Sequence, residues 1–421
     1  VTDFAETRFK IARAQGKNVT RQDGLFALIA ALLTALALHH LHAVLLKNNS
    51  DISVFYLPWY EHIVRYGRWS SLEGSFANYS PPYLYIVSFV SLFAGTTSPV
   101  IMVKLAQVPG LLVGAWMFWS ICRKLGCSQT RSLLAAWMLL VAPEVFWNTL
   151  LWGQCDMIHT ACILVMARLL LARRPAWAMV ALGVALAFKL QAIFVGATIA
   201  ALFLSSEVPL WSAVCVPAGY LVMMVPAWLA GRPWSELLLV YQSQYQSQPE
   251  IAKHVANPYQ LIFHFTELHP LAYRIAMPLG FLAAGAATVG LVAFLTRSPW
   301  RLRGMHLLVA IAFTLLMEPF FLPKMHDRYF FSGDVIVLLL AMIKPRLAVP
   351  AAMLQIAALI TYAPELIYPH LPGHEIDEPT LYYLPAVLLV LVSLVWIGWT
   401  MWKPADEAVQ PTIAPAGPAS E

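Results

Sequence analysis

Residues 24–46 read Gly-Leu-Phe-Ala-Leu-Ile-Ala-Ala-Leu-Leu-Thr-Ala-Leu-Ala-Leu-His-His-Leu-His-Ala-Val-Leu-Leu. The run contains no Asp, Glu, Lys or Arg. About 20 apolar residues in a helix cross the roughly 30 Å hydrocarbon core of a bilayer. The run therefore reads as a membrane span. It lies between a basic leader (Arg8, Lys10, Arg13, Lys17, Arg21) and a polar exit, Lys-Asn-Asn-Ser-Asp at 47–51.

The rest of the chain repeats the pattern. Of 421 residues, 60% are apolar and 12% charged, against roughly 25% charged in a soluble domain. So few charges cannot solvate a soluble enzyme's surface, and the same numbers exclude a disordered chain or a disulfide scaffold. About 12 spans of roughly 20 residues would absorb nearly all the apolar content. The expected spans are roughly 24–46, 99–122, 131–147, 156–172, 176–190, 191–205, 209–230, 271–296, 304–322, 329–343, 347–365 and 381–402. The stretch 176–205, interrupted by Lys189 and Gln191, is long for one span and short for two. Residues 1–23 read as a cytoplasmic amphipathic segment, 24–403 as the transmembrane domain, and 404–421 as a disordered Pro- and Ala-rich tail. No cleaved leader is expected, because the first apolar run is long enough to span. Cys122, Cys127, Cys162 and Cys215 read as small residues of the membrane core or edge; none of the five cysteines forms a CxxC pair or a zinc spacing.

Basic residues recur at alternate turns: Arg123, Lys124 and Arg131; Arg173 and Arg174; Arg297, Arg301 and Arg303; Lys344 and Arg346; Lys403. By the positive-inside rule these turns and both termini are cytoplasmic. The turn at 205–208 is the exception, with no basic residue. The net charge of +5 thus reflects topology rather than nucleic-acid binding. The outer face then receives 47–98, 148–155, 231–270 and 366–380, plus the turns near 189–191 and 323–328, with 54–66 and 83–95 expected as helices lying in the interface.

Ionisable groups near the hydrocarbon boundary are costly and mark function, and five such clusters fall on that outer face. Asp51 follows the first span and suits either a helix cap or a general base on an acceptor hydroxyl. Tyr56, Trp59, Glu61 and His62 continue this segment as an aromatic belt. Asn78-Tyr79-Ser80-Pro81-Pro82 reads as a loop entering a helix, its tyrosines free to stack on a sugar or a prenyl chain. Trp152-Gly153-Gln154-Cys155-Asp156 combines an aromatic platform, an amide and a carboxylate suited to sugar hydroxyls, or makes a tight turn and cap; His159 lies one turn on. Lys189, beside Gln191, needs an anionic partner or must snorkel. Lys324-Met325-His326-Asp327-Arg328-Tyr329 sets three potential cations where a phosphate could be neutralised, with Asp327 able to orient a neighbour. The Gln- and Tyr-rich 241–248 segment is a weaker candidate for acceptor sugars. No phosphate-cradling Gly loop and no zinc motif is present.

Asp51, the Asn78-Tyr79-Pro81 loop, Trp152-Gly153-Gln154 with Asp156, Phe188-Lys189 with Gln191, and Lys324-Met325-His326 with Arg328-Tyr329 together resemble the GT-C superfamily of polytopic glycosyltransferases. The look is nearest to bacterial and archaeal relatives of the GPI-anchor second mannosyltransferase. The resemblance implies a polyprenyl- or dolichyl-phosphate sugar donor and inversion at the anomeric carbon, with Asp51 as base. One acid stands at 51 where an adjacent acidic pair is known, which leaves metal dependence open, and Asp327 stands where relatives often carry Glu.

The sequence is thus read as an all-α inner-membrane hexosyltransferase, mannose favoured, acting on the outer face on a glycan, glycolipid or protein acceptor. Asp51 would be the base. Lys189, Lys324, His326 and Arg328 would hold the donor phosphate. Asn78, Tyr79, Trp152, Gln154, Asp156, Gln191, Asp327 and Tyr329 would bind sugar or acceptor. No cofactor is obligatory on this reading. The rivals are a glycolipid flippase and an oligosaccharide ligase with a pyrophosphate-linked donor.

Overall fold

Each of the twelve apolar runs folds as helix in a computed structural model of the chain, which describes residues 20–246, 250–367 and 380–402. The expectations for the amphipathic leader before Thr20 and for the tail lie outside these residues. The architecture is all-α. Among the described residues, strand is confined to a two-residue parallel bridge, Ala252–Lys253 against Met325–His326.

By length and composition, 7 helices can cross a membrane, or up to 8 if a bent pair counts as one span. The pair is Gln129–Val141 and Pro143–Trp152, which meet at 46°. The expected count of twelve exceeds this because four of the runs make short helices, Asp156–Leu171, Pro175–Phe188, Gly196–Leu204 with its preceding 3₁₀ turn, and Phe331–Ile343. Several of these short helices start or stop at the polar residues singled out above: Asp156 opens one, and Lys189 interrupts the path between two. The segments expected in the interface are helical, Leu57–Tyr66 and Pro81–Val90.

Local chemistry sets the ends. Thr20 and Asp23 form a reciprocal capping box at the start of Arg21–Leu46. Proline occupies the first turn of Pro81–Val90, Pro175–Phe188 and Pro270–Thr296, where its missing N–H costs nothing. Helix packing uses small residues. A Cβ added at Gly183 would lie 2.1 Å from the Val216 carbonyl oxygen, and one at Gly219 would lie 2.5 Å from that of Val180. These two helices therefore cross backbone to backbone, as membrane helices do where glycines face each other.

The bundle has two chemically distinct ends. At one, Asp23 pairs with Arg131, whose Nη1 also donates to the Met342 carbonyl. Glu207 takes both Arg173 and Arg303, and Arg301 reaches the Met401 carbonyl. All the basic turns of the sequence pattern that fall in these contacts gather at this end. Glu207 explains the exceptional turn at 205–208: it carries the counter-charge for its two basic neighbours. Asp51, Trp152, Lys189 and Arg328 gather at the other end.

Candidate active site

Asp51 precedes a π-helical turn, Ile52–Tyr56, that runs into Leu57–Tyr66. It does not cap this helix. Asn49 does, its Oδ1 accepting from the Ile52 N–H at 3.0 Å while its Nδ2 donates to the carbonyls of Leu151 and Trp152. The Asp51 carboxylate is thereby left for other partners. Its Oδ2 accepts from Trp152 Nε1 at 3.0 Å and from Gln154 Nε2 at 2.5 Å, and lies 3.7 Å from Arg328 Nη1. Among the described residues Oδ1 takes none of these contacts, and the side chain is 23% exposed. One oxygen is anchored and the other faces open space.

The groups that hold Asp51 are themselves held. Gly153 adopts a φ of +82°, a left-handed turn that closes the π-helix Trp147–Trp152 and aims Gln154 back at Asp51. Tyr56 donates to Gln154 Oε1 at 2.7 Å, which fixes the amide with its Nε2 toward the carboxylate. Gln107 donates to the Gly153 carbonyl at 3.0 Å and to the Tyr83 hydroxyl at 2.9 Å. Trp152 is 2% exposed. Tyr362 meets its ring edge-on at 5.2 Å, and the Arg328 guanidinium lies 4.9 Å from its centroid. Trp152 at this exposure, and Gln154 fully buried, present no open surface of the kind expected of a sugar platform.

Asp156 and Lys189 are also redirected. They form a buried ion pair, and Asn148 Nδ2 donates to the other Asp156 oxygen at 2.9 Å. The anion that Lys189 requires is thus supplied by the protein, which removes Lys189 from the cations uncommitted enough to receive a donor phosphate. His159 does not pair with Asp156; its Nε2 meets Ser332 Oγ at 3.1 Å. Tyr79 hydrogen-bonds Cys155 at 2.8 Å, and its ring lies 6.0 Å from Lys189 Nζ. With Tyr56, Trp59 and Tyr83 it forms an aromatic wall next to Asp51, with ring centroids 5.2–5.7 Å apart.

The cluster at 324–329 divides. Arg328 faces Asp51 and also contacts Asp327, through Nε at 3.3 Å. Burial alone would lower the Arg328 pKa, but Asp327, Asp51 and Asp156 raise it well above its ordinary value. Asp327 is buried, and burial with the nearby Glu365 and Asp51 carboxylates pushes its carboxyl up to about 7 despite Arg328. His326 is lowered to about 3 by burial and by the positive charges of Arg328, Lys253, His254 and Lys189. At neutral pH these neighbours favour its uncharged imidazole, whereas the phosphate-neutralising role expected of it would need it protonated. Tyr329 packs on His326 at 5.3 Å and has Gln191 as a hydrogen-bonding neighbour. Lys324 stands apart, in left-handed backbone (φ +62°) beside Glu250. Asn78 is exposed, and among the described residues its side chain makes none of the site's hydrogen bonds; its carbonyl accepts from Gln244 at 2.7 Å.

Several residues of this end were not anticipated. Lys104, fully buried, donates to the Val44 and Lys47 carbonyls at 2.5 and 2.8 Å and so caps the first helix. Gln107 supports the Gly153 turn. A lone Lys and a lone Gln within the apolar run 99–122 carried the same signal as Lys189. Glu365, at the end of Pro345–Leu366, accepts from Ser50 at 3.2 Å and pairs with Lys253 at 3.7 Å. No group of His, Cys, Asp and Glu suited to a metal ion occurs among the described residues. A cavity of about 590 Å³, lined by His62, Tyr66, Glu73 and Phe76, opens at the far end of the Leu57–Tyr66 helix.

The family model of glycosyltransferase family 87 matches residues 76–319, more than half of the chain. No curated protein matches it. The matched stretch takes in the Tyr79 loop, the Trp152–Asp156 turn and Lys189. Asp51 and Arg328 lie on either side of it.

Proposed function

The chain belongs to glycosyltransferase family 87, and from that membership we propose a multi-pass membrane transferase that moves a hexose, mannose in the first instance, from a polyprenyl-phosphate carrier to a hydroxyl acceptor on the outer leaflet, with inversion. On this reading it is akin to bacterial relatives of the GPI-anchor second mannosyltransferase, and its product would be part of the cell-envelope glycan. The single observation that carries the mechanism is the half-anchored Asp51 carboxylate, Oδ2 held by Trp152 and Gln154 and Oδ1 open.

The acceptor O–H gives its proton to Asp51 Oδ1 as its oxygen attacks the anomeric carbon from the face opposite the phosphate. The bond from that carbon to the phosphate oxygen breaks, and the electron pair leaves with the phosphate. The products are a glycoside with inverted configuration and a lipid monophosphate, and Asp51 returns its proton to water. A general base of this kind is worth about 10²–10⁴-fold. The leaving phosphate gains negative charge, so no acid is required, and a nearby cation stabilises the transition state more than the ground state. Arg328, already 3.7 Å from Asp51, is the first candidate for that role. Trp152 and Gln154 position the base. The Asp156–Lys189 pair braces the turn beneath it. Tyr79, Tyr329 and Gln191 line the space left for sugar.

The test is turnover of labelled polyprenyl-phosphate mannose and glucose by the protein in proteoliposomes. Transfer to an added membrane extract with one donor supports the reading. Specific donor binding with no transfer, and movement of intact donor between leaflets, would replace it with a flippase. Transfer from a pyrophosphate-linked donor alone would replace it with a ligase.

A further inference from the structure

The cations at the site end differ in how far they are already committed. Lys189 is closed against Asp156 and Asn148. Arg328 contacts Asp51, Asp327 and the Trp152 ring. Lys104 is spent on two carbonyls. Lys253 is different: its side chain is 44% exposed and its ion pair, with Glu365, is a loose 3.7 Å.

Its backbone, by contrast, is firmly placed. Lys253 is bridged in parallel register to His326, as Ala252 is to Met325. Residues paired in this way project their side chains to the same face, so Lys253 and His326 stand side by side. The Lys324 N–H donates to the Ile251 carbonyl at 2.6 Å, next to the bridge. Four residues on, Asn257 Nδ2 donates to the carbonyls of Pro319 and Leu322, tying the segment to the end of the Gly304–Phe321 helix. A half-exposed ammonium is thus mounted on a fixed strand, two residues across the bridge from Arg328.

The geometry points to Lys253 as the second cation for the donor's phosphate, sharing it with Arg328 across His326, with Glu365 as the carboxylate that the phosphate displaces. This deepens the proposed transferase reading and rests on it. A polyprenyl-phosphate sugar is a phosphodiester with one negative charge. When the glycosidic bond breaks, the phosphate becomes a monoester and gains a second. Lys253 therefore binds the departing product better than the donor, which assists the transition state and leaves lipid phosphate as a competitive inhibitor. Glu365 holds the ammonium near the site between turnovers and competes with the ligand for it. The neutral His326 between the two cations can donate or accept a hydrogen bond without adding charge.

The competition makes two substitutions act in opposite directions. The full chain is reconstituted in phosphatidylcholine vesicles, with no anionic lipid, and assayed with polyprenyl-phosphate mannose. Lys253→Ala raises the donor KM by about 10-fold, as expected for one lost charge-assisted contact, and the inhibition constant of polyprenyl phosphate by more. Lys253→Arg restores both. Glu365→Gln lowers both. Inorganic phosphate competes far more weakly than the lipid phosphate in every variant. Equal KM values for wild type and Lys253→Ala overturn the proposal, as does a Glu365→Gln change in the same direction as Lys253→Ala. Equal competition by inorganic phosphate overturns the lipid-carried source. Direct binding of polyprenyl phosphate to wild type and Lys253→Ala, measured in the same vesicles, separates the two claims. If wild type shows no transfer, the transferase reading fails, while an affinity difference of about 10-fold or more still upholds Lys253 as the phosphate cation and no difference sinks it.

Discussion

The two ends of the bundle use the same chemistry, carboxylates paired with cations, and each holds one buried pair, Asp23–Arg131 and Asp156–Lys189, but the basic end adds pairs whose cations lie in water. At the basic end Glu207 meets Arg173 and Arg303, whose side chains are 66% and 59% exposed. At the site end the Asp156–Lys189 pair is buried, with side chains 3% and 11% exposed. Glu207 itself is only 7% exposed, but its two cations are reached by water, and pairs with exposed cations contribute about 0–1 kcal/mol each. Breaking a buried pair by removing one partner costs about 3–5 kcal/mol, since the survivor keeps its charge without a solvent shell. The Glu207 pairs thus keep their cations in contact with water, whereas Asp156 and Lys189 depend on each other. A chain has reason to retain the second kind where position matters for chemistry.

The largest expected effect follows from that contrast. Lys189→Ala strands the Asp156 carboxylate and should cost about 3–5 kcal/mol, seen as lost yield and a much lower midpoint of thermal unfolding in detergent. Lys189→Met with Asp156→Leu removes both charges and should recover most of that stability. Failure of the double substitution to recover it would mean that the pair does more than brace the turn.

Gln154→Ala comes next. It deletes the 2.5 Å bond to Asp51 and leaves Tyr56 without its acceptor. A hydrogen bond to a charged group is worth about 1.5–3 kcal/mol, so kcat should fall about 10- to 100-fold with donor KM little changed. A KM effect without a kcat effect would place Gln154 on the substrate instead of the base.

A pH effect should be smaller. Asp327, held up at about 7 by burial, is protonated in the folded protein at pH values where an ordinary Asp is ionised. The folded state binds the extra proton, so this contribution to stability is full below about pH 4 and declines as the pH rises to 7. Above pH 7 the ionised Asp327 competes with a donor phosphate for Arg328. Donor KM should therefore rise a few-fold between pH 6 and 8, and Asp327→Asn should flatten the profile. An unchanged profile in that variant would assign the step to another group.

The smallest effect belongs to the basic end. Arg173→Ala should alter stability by no more than about 1 kcal/mol and leave turnover at the wild-type value. A larger loss would erase the distinction between the Glu207 pairs and the Asp156–Lys189 pair.

Much of this fold was legible in the sequence because hydrocarbon imposes a simple rule on it: apolar runs become helices and basic turns share one end. The runs are in place to within a few residues. Span counting is less secure, because a helix such as Phe331–Ile343, 13 residues long, is shaped by packing against neighbours and need not match the bilayer's thickness. The site was half legible. Asp51, Trp152, Gln154 and Arg328 stood out as polar residues at the ends of apolar runs, and the structure brings them together. Their partnerships did not, because pairing across the bundle leaves no local periodicity. Lys189 visibly needed an anion, but that the anion is Asp156, 33 residues away, required the tertiary fold. Trp152 looked like a platform and is instead a buried hydrogen-bond donor to Asp51. Lys253 and Glu365 escaped notice because each is an ordinary charge in a polar loop or at a helix end until the bridge and the ion pair set them beside the site.

The most direct test of the account is the rate of mannosyl transfer by Asp51→Asn beside wild type, in proteoliposomes with saturating polyprenyl-phosphate mannose, with donor binding measured on the same preparations. Asparagine keeps the hydrogen-bonding shape but cannot take the acceptor's proton. The account predicts a loss of about 10²–10⁴-fold in kcat with donor affinity held within a few-fold. Transfer at the wild-type rate would contradict the assignment of Asp51 as the base.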